Sequence, residues 1–210
     1  MLRYIYGNHL HRFARLRDDM FRDRADQFKA RLGWDVSVDD NGFERDEYDA
    51  LNPLYVIWEG PDGRHQGSMR FLPTTGPVMI NDHFSHLLNG DTVQSPDIWE
   101  CTRFCLSRGA PSRVAAALML GGGEIMRHFG ITQFAGVFDA RMVRIYRLIG
   151  SSPTVLGSEG GGRDQISVGL WAFSDAARHR VAQRAGLSPA LSDLWFRRSL
   201  GNAAPLRLTA

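Results

Sequence analysis

The feature that most constrains this fold is a set of charged residues inside segments that otherwise have the apolar composition of buried strands. Arg70 lies within residues 67–72, and Glu100 and Arg103 lie within residues 98–106. A buried charge is costly unless it is paired. We therefore expect partners from residues 35–53, a polar segment without helical or strand periodicity. Its carboxylates include Asp39, Asp40, Glu44, Asp46, Glu47 and Asp49.

Composition places the chain among ordinary globular proteins. Its 210 residues are 43% hydrophobic and 23% charged, with a net charge of +2, which fits one domain and argues against disorder and nucleic-acid binding. Neither a membrane span nor a signal peptide is recognisable, so we expect a cytoplasmic location. The two cysteines, Cys101 and Cys105, are expected to be reduced, and no metal site is predicted.

The periodicity predicts alternating helices and strands. Helices are expected over 10–32, over 82–89 with Asp82 as N-cap, over 113–129 between Ser112 and Gly130, and over 139–149, 174–185 and 190–199. Strands are expected over 55–58, 67–72, 98–106, 131–138, 155–156 and 166–173, the first two forming a hairpin. This order predicts an α/β or α+β domain with a mixed central sheet covered by helices. The domain is expected to span residues 1–200, followed by a tail over 201–210.

Two local patterns give sharper expectations. Regular alternation along 98–106 would place Trp99, Cys101, Arg103 and Cys105 on one face, and Glu100, Thr102, Phe104 and Leu106 on the other. Residues 121–123 are three glycines inside an apolar helix, where each costs about 1 kcal/mol relative to alanine. They indicate the close approach of another element or a ligand, or a break in the helix.

Aromatic residues accompany the charges. Phe28 and Trp34 follow Arg24 at the end of the first predicted helix, just before the acidic segment. Arginines and carboxylates beside an aromatic wall would suit a small zwitterionic molecule that carries a cationic group.

The ordered set of these residues resembles the LuxI-type acyl-homoserine-lactone synthases, a family of autoinducer synthases with a fold like that of the GNAT N-acetyltransferases. The resemblance covers residues 24–104 and continues more loosely to about 150. It rests on Arg24-x3-Phe28-x5-Trp34, Glu44-x-Asp46-x2-Asp49, Arg70-Phe71-Leu72-Pro73-Thr74, Gly76-Pro77, Phe84 and Trp99-Glu100-x2-Arg103-Phe104. It implies a GNAT-like three-layer sandwich.

The resemblance also implies a reaction. The amine of S-adenosylmethionine attacks an acyl thioester, normally on acyl carrier protein, and the methionyl carboxylate then displaces methylthioadenosine to close the lactone. No resident cofactor is expected. The catalytic set would be Glu100 as the base, with Arg103, Asp46, Asp49, Glu44 and Arg70. S-adenosylmethionine would contact Arg24, Phe28, Trp34, Phe84 and Arg103.

The second half of the chain would hold the acyl donor. The expected acyl pocket consists of Leu118, Met119, Ile125, Met126, Gly136, Phe138, Met142, Ile145 and Ile149. Members that make 3-oxo products tend to have threonine where Gly136 lies, so we expect an unsubstituted or 3-hydroxy chain. Arg141, Arg144 and Arg147 would dock an acidic carrier protein.

Two alternatives remain at this level. One is a GNAT-type acyl-CoA N-acyltransferase that acts on another amine. The GNAT pyrophosphate-loop pattern is missing from residues 108–113, although Arg108 and Arg113 keep coenzyme A binding possible. The other is a ligand-binding relative without catalytic activity, against which the presence of Glu100 argues.

Overall fold

The computed structural model describes residues 1–201. Apart from Gly201, the predicted tail over 201–210 lies outside the described residues. The helices and strands account for most of the expected elements. The strands form one mixed sheet, and the helices pack on it.

Seven strands of the described residues form this sheet, in the order β1-β2-β3-β4-β5-β7-β6. The strands are β1 (Leu2–Tyr6), β2 (Leu54–Glu59), β3 (His65–Pro73), β4 (Ile98–Leu106), β5 (Gln133–Asp139), β6 (Thr154–Glu159) and β7 (Ile166–Ala172). Neighbouring strands are antiparallel except β4 and β5, which are parallel. A parallel pair needs a long crossover, and the helix over residues 113–129 supplies it. The predicted hairpin is the β2–β3 pair.

Helices cover both faces of the sheet. They are α1 (Ala14–Arg24), α2 (Met79–His83), α3 (Arg113–Phe129), α4 (Ala140–Ile149), α5 (Asp175–Ala185) and α6 (Pro189–Leu200). On one face α1 packs Met20 and Phe21 against Tyr55 and Ile57. On the other face α3, α5 and α6 pack on the alternate side chains of the same strands, including Val56. The result is the expected three-layer α/β arrangement.

The first predicted helix is divided into three parts. A 3-10 helix (Gly7–Phe13) leads into α1, and a π-helix (Ala25–Arg31) continues from it. The acidic segment is mostly irregular, as expected, with one 3-10 helix (Glu47–Ala50) and an isolated bridge between Val38 and Glu44.

The structure departs from the sequence expectations at two places. The edge strand β1 was not predicted, because a short, almost wholly apolar segment has no alternation to reveal it. The helix expected over 82–89 is instead α2 followed by a 3-10 helix (Ser85–Leu88), and the N-cap of α2 is Val78 rather than Asp82. By contrast, α3 has the expected bounds, with Ser112 at its N-cap and Gly130 at its C-cap, although the Ser112 side chain makes no capping hydrogen bond.

The glycines of α3 reflect close approach of another element at Gly121 and not a break in the helix. A Cβ on Gly121 would lie 2.7 Å from Val56 Cγ1, so the helix approaches β2 closely at this point. A Cβ on Gly123 would meet nothing within 4 Å. The helix itself is unbroken.

β4 and β5 separate soon after they meet. Their register covers only Ile98–Glu100 of β4 against residues 133–135 of β5, although both strands continue. A second irregularity lies on the other side of β4, where the pairing with β3 shifts register and Arg103 adopts a positive φ of 53°. Such a bulge inserts one extra residue.

The bulge reverses the faces expected for the second half of β4. Trp99 and Cys101 face the α3 side, and so do Phe104 and Leu106 beyond the bulge. Arg103 therefore shares the α1 face with Glu100 rather than opposing it. Cys105 also turns to the α1 side, where Asp23 and Arg24 act on its pKa.

Candidate active site

Three arginines from three elements meet the carboxylates of the acidic segment. Arg24, at the end of α1, is completely buried. It donates two parallel hydrogen bonds to Asp49, both 2.9 Å long, and a third of 2.5 Å from Nε to Glu44 Oε2. This bidentate geometry is the one that a guanidinium makes best.

Arg70 is the second arginine and is also fully enclosed. Its guanidinium forks onto Asp46, lies 2.9 Å from Asp49 Oδ1, and donates from Nε to Thr102 Oγ1 at 3.1 Å. The expectation that Arg70 finds its partners in the acidic segment is confirmed.

Arg103 completes the network because the β4 bulge turns it toward the acidic segment. Its Nη2 lies 3.0 Å from Glu44 Oε1 and 2.7 Å from Asp46 Oδ2. The guanidinium carbon stands 5.6 Å from the centre of the Phe28 ring. Its side chain keeps 11% exposure, whereas those of Arg24 and Arg70 keep none.

The spacing of Asp46 and Asp49 follows from local backbone chemistry. Asp46 caps the 3-10 helix by accepting hydrogen bonds from the backbone N–H groups of Tyr48 and Asp49, and Asp49 accepts one from the N–H of Asp46. This capping box fixes both carboxylates for the arginines. Burial alone would raise the pKa of Asp49, but Arg24 and Arg70 outweigh it and hold that pKa well below its usual range.

Glu100 lies on the same face of the sheet but has no arginine in contact. Its carboxylate accepts hydrogen bonds from the backbone N–H groups of Ile80, at 2.6 Å, and Met79, at 3.2 Å. Burial is the dominant influence and raises the pKa of Glu100 to about 7, although these hydrogen bonds and the more distant Arg70 and Arg103 lower it in part. A carboxyl with this pKa exchanges protons near neutrality.

A cavity of about 720 Å³ begins at this network and passes to the other face of the sheet. At its charged end it is bordered by Glu44, Asp46 and Arg103. Its aromatic wall there includes Phe28 and Trp34, whose rings stack with centroids 5.1 Å apart, and Phe84. The cavity reaches the α3 side where β4 and β5 separate.

Four of the predicted site residues lie behind this wall rather than on it. They are Arg24, Asp49, Arg70 and Glu100, none of which borders the cavity. The expectation that Arg24 contacts a ligand is therefore revised. Its guanidinium is hydrogen-bonded to Glu44 and Asp49 and holds the acidic segment in place. Glu100 is only 1% exposed, so its direct contact with a ligand is not supported either.

The apolar end of the cavity lies between the sheet, α3, α4 and α5. Five predicted acyl-pocket residues border it: Met119, Met126, Gly136, Phe138 and Met142. Leu118, Ile125, Ile145 and Ile149 do not, because those side chains are used in packing. Sequence reasoning missed Met69, Phe71, Phe134, Tyr146, Trp171 and Val181. The alternation around Arg70 could have placed Met69 and Phe71 on the α3 face; for Tyr146 and Trp171 no signal was evident.

Gly136 lines this end for a steric reason. A Cβ there would lie 3.0 Å from the carbonyl oxygen of Cys101 and 3.2 Å from the Trp171 ring. A larger residue would therefore require the strands or the indole to move.

The two arginines that kept a coenzyme A site possible are occupied elsewhere. Arg108 pairs with Asp26 at 2.6 Å, and Arg113 lies over the Trp58 ring. Neither borders the cavity. By contrast, Arg141, Arg144 and Arg147 are all exposed on α4, although Arg141 also pairs with Asp139.

Within residues 1–201, one group has the spacing of metal ligands: Glu124, His128 and Asp193, whose ligand atoms lie within 4.8 Å of one another. Its carboxylates already have cationic partners. Arg178 contacts Glu124 at 2.7 Å, and Arg127 contacts Asp193 at 2.8 Å. The group is therefore part of an ion-pair network that joins α3, α5 and α6. In the part of the chain described, no helix combines the length and apolar composition of a membrane span.

The family model for autoinducer synthases matches residues 8–181. The chain belongs to the autoinducer synthase family. An acyl-homoserine-lactone synthase of Rhizobium etli is 42% identical over 178 residues, which cover 81% of this chain and 84% of the relative. This autoinducer synthase is thus an acyltransferase that makes acyl-homoserine lactones.

Solved structures confirm the fold. BjaI, a CoA-dependent acyl-homoserine lactone synthase determined with SAM and isopentyl-CoA, has a TM-score of 0.79 at 23% identity, over 92% of this chain and 99% of its own. A chain from Lactobacillus plantarum described as an N-acetyltransferase has a TM-score of 0.52 at 16% identity, over 82% of this chain and 99% of its own. These likenesses show that the autoinducer synthase has a GNAT-like fold.

Proposed function

We propose that the charged end of the cavity binds S-adenosylmethionine and that the apolar end binds the acyl chain of a thioester. The observation that carries this proposal is a single cavity that joins a charged, aromatic end to an apolar end through the gap between β4 and β5. The gap brings an amine on one face of the sheet to a thioester on the other.

The charged end suits the groups of S-adenosylmethionine. Glu44 and Asp46 offer negative charge to its ammonium and sulfonium, and Arg103 offers a cation to its carboxylate. Phe28 and Trp34 would hold the sulfonium against an aromatic face. Arg24, Arg70 and Asp49 do not contact the substrate themselves. They hold Glu44 and Asp46 in the positions where a substrate can contact them.

Proton transfer is assigned to Glu100. The methionyl ammonium must lose a proton before its nitrogen attacks the thioester carbonyl, and a base with a pKa of about 7 is matched to that task. Because Glu100 lies behind the cavity wall, we propose that a water relays the proton. The amide bond then forms as the thiol leaves, and the methionyl carboxylate displaces methylthioadenosine to close the lactone. The two substrates supply this chemistry, and no resident cofactor takes part.

Acyl carrier protein is the proposed donor. The exposed arginines of α4 would meet its acidic surface, and Arg108 and Arg113 are already occupied, which disfavours coenzyme A at that loop. BjaI shows that a related fold accepts acyl-CoA, so both donors need testing. At the acyl end, Gly136 offers no side-chain hydrogen bond to a 3-oxo group. We therefore propose that 3-oxo chains are poor substrates compared with unsubstituted or 3-hydroxy chains. We propose that the enzyme works in the cytoplasm.

The test is a donor panel. Purified protein is mixed with S-adenosylmethionine and acyl thioesters of carrier protein or coenzyme A, and products are followed by mass spectrometry. We expect acyl-homoserine lactone and methylthioadenosine in equal amounts, with faster turnover of carrier-protein donors. If none of the donors leads to methylthioadenosine, the proposal is rejected. Amide without lactone would indicate an N-acyltransferase instead.

A further inference from the structure

Tyr146 places a hydroxyl group on the wall of the apolar end of the cavity. The residue lies on α4, is 8% exposed and borders the cavity. Its hydroxyl makes no hydrogen bond to any residue from 1 to 201, and it is not among the enclosed polar atoms without a partner, so its oxygen keeps accessible surface on a side chain that borders the cavity. A polar group left free on an apolar wall favours a ligand that carries a matching polar atom.

The ring that carries this hydroxyl is held firmly. Its centroid lies 5.0 Å from that of Trp171 and 5.5 Å from that of Phe138, both in edge-to-face geometry. Such contacts fix the ring, and the hydroxyl therefore has a defined position in the cavity.

The neighbouring polar groups are already occupied. Trp171 donates its Nε1–H to the carbonyl of Ser151 at 3.3 Å, and the Cys101 thiol contacts Met69 Sδ at 3.8 Å. Asp139 accepts from the backbone N–H of Arg141 at 3.0 Å. Unlike these three groups, the Tyr146 hydroxyl has no hydrogen-bond partner among residues 1–201.

Its place along the cavity is next to the gap between the strands. The Trp171 ring, against which Tyr146 packs, lies 3.2 Å from where a Cβ on Gly136 would be, and the Cys101 carbonyl oxygen lies 3.0 Å from that same position. Cys101 directly follows Glu100, the last residue of β4 that pairs with β5. The reacting thioester must lie at this gap, so the first carbons of the acyl chain pass near the hydroxyl.

We infer that Tyr146 is a specificity-determining residue that selects acyl donors carrying a hydroxyl group at the third carbon. This inference rests on the function proposed above and refines its substrate class. A 3-hydroxyl group can both donate to and accept from the tyrosine, whereas a keto oxygen can only accept. With an unsubstituted chain the tyrosine hydroxyl stays buried without a partner, which costs binding.

The test compares matched donors. For even chain lengths from hexanoyl to dodecanoyl, kcat/KM is measured with unsubstituted, 3-hydroxy and 3-oxo thioesters of acyl carrier protein. We expect the 3-hydroxy donor to exceed the unsubstituted donor of equal length by about tenfold or more. In Tyr146→Phe this ratio should fall to near one, with the unsubstituted donor turned over at least as fast as before.

Tyr4→Phe is the matched control, because Tyr4 also has a buried hydroxyl but does not border the cavity. It should keep the wild-type ratio, and thermal unfolding checks that both variants fold. A ratio unchanged in Tyr146→Phe would overturn the inference, and so would an equal loss with every donor, since Tyr146 would then act on the thioester. If the wild-type protein releases methylthioadenosine with none of the donors tested, the proposed function itself fails.

Discussion

Glu100 is buried and the Asp49 side chain keeps only 7% exposure, both on the α1 face of the sheet, and the two carboxylates differ in what surrounds them. Asp49 lies against two guanidinium groups, which hold its pKa far below the usual range. Glu100 receives two backbone N–H groups and no direct arginine, and its pKa rises to about 7. One sheet face can therefore combine a permanently charged carboxylate with a carboxyl that exchanges protons. Pairing with arginine lowers the pKa of a carboxyl group, whereas burial without such pairing raises it.

The largest effect expected from this contrast is on turnover by Glu100→Gln. The variant keeps nearly the same shape but cannot accept a proton, so kcat should fall by roughly 100- to 10,000-fold. Methylthioadenosine release measures it. Glu159→Gln, at an exposed carboxylate outside the cavity, should leave kcat unchanged. Normal turnover in Glu100→Gln would remove Glu100 from the role of base.

The next largest effect is on stability, from Arg24→Ala. Removing this guanidinium leaves Glu44 and part of Asp49 buried without their partner, which should lower the free energy of unfolding by about 3–5 kcal/mol. Chemical denaturation measures it. Arg15→Ala lies on the exposed face of the same helix and should change the value by less than about 0.5 kcal/mol. Equal values for the two variants would contradict a buried network.

The two carboxylates should also give opposite pH dependences. The pKa of Glu100 rises from 4.5 to about 7 on folding, so the folded chain holds a proton that the unfolded chain releases. Its contribution to stability is complete below pH 4.5 and is lost as the pH rises through 7. Between these values the wild type should lose up to about 3 kcal/mol relative to Glu100→Gln.

Asp49 behaves in the opposite sense. Because its folded pKa is depressed, its contribution is present above its ordinary value of 3.8 and is lost on acidification below it. Denaturant unfolding of wild type and Glu100→Gln across this pH range tests the contrast. Parallel pH profiles for the two proteins would show that the Glu100 carboxyl is not perturbed. The profile of kcat/KM should rise with the ionisation of Glu100 near pH 7.

The smallest effect concerns exposed arginines, which lack the burial of Arg24 and Arg70. Arg144→Ala should raise KM for acyl carrier protein by about twofold to fivefold at low salt and leave kcat unchanged. Added salt should reduce the difference. Arg198→Ala, at an exposed position of α6, is the control and should match wild type. An equal rise in KM with acyl-CoA donors would mean that Arg144 does not dock the carrier.

The charge network could be predicted because electrostatics demands it. Arg70 and Arg103 occur in apolar segments, so carboxylates had to come from elsewhere, and the acidic segment was the available source. The face of Arg103 was predicted wrongly, since an alternating pattern does not reveal a bulge that adds one residue to a strand. The regular alternation therefore held up to Thr102 and failed beyond it.

The acyl end was harder to predict than the charged end. An apolar stripe on α3 predicts burial, but Leu118 packs into the core while Met119 borders the cavity. Whether a buried apolar residue faces a neighbour or a space depends on all the side chains around it. Tyr146 and Trp171 come from distant segments, and only folding brings them together at the wall.

The sequence alone determined which groups had to meet: guanidiniums inside strands required carboxylates, and the motifs identified the family and its reaction. The tertiary structure alone decided which of those groups face the cavity, placing Arg103 and Asp46 on its wall and Arg24, Asp49, Arg70 and Glu100 behind it. The reason is physical. The need for charge pairing follows from the residue types alone, whereas the shape of a cavity depends on how every element packs.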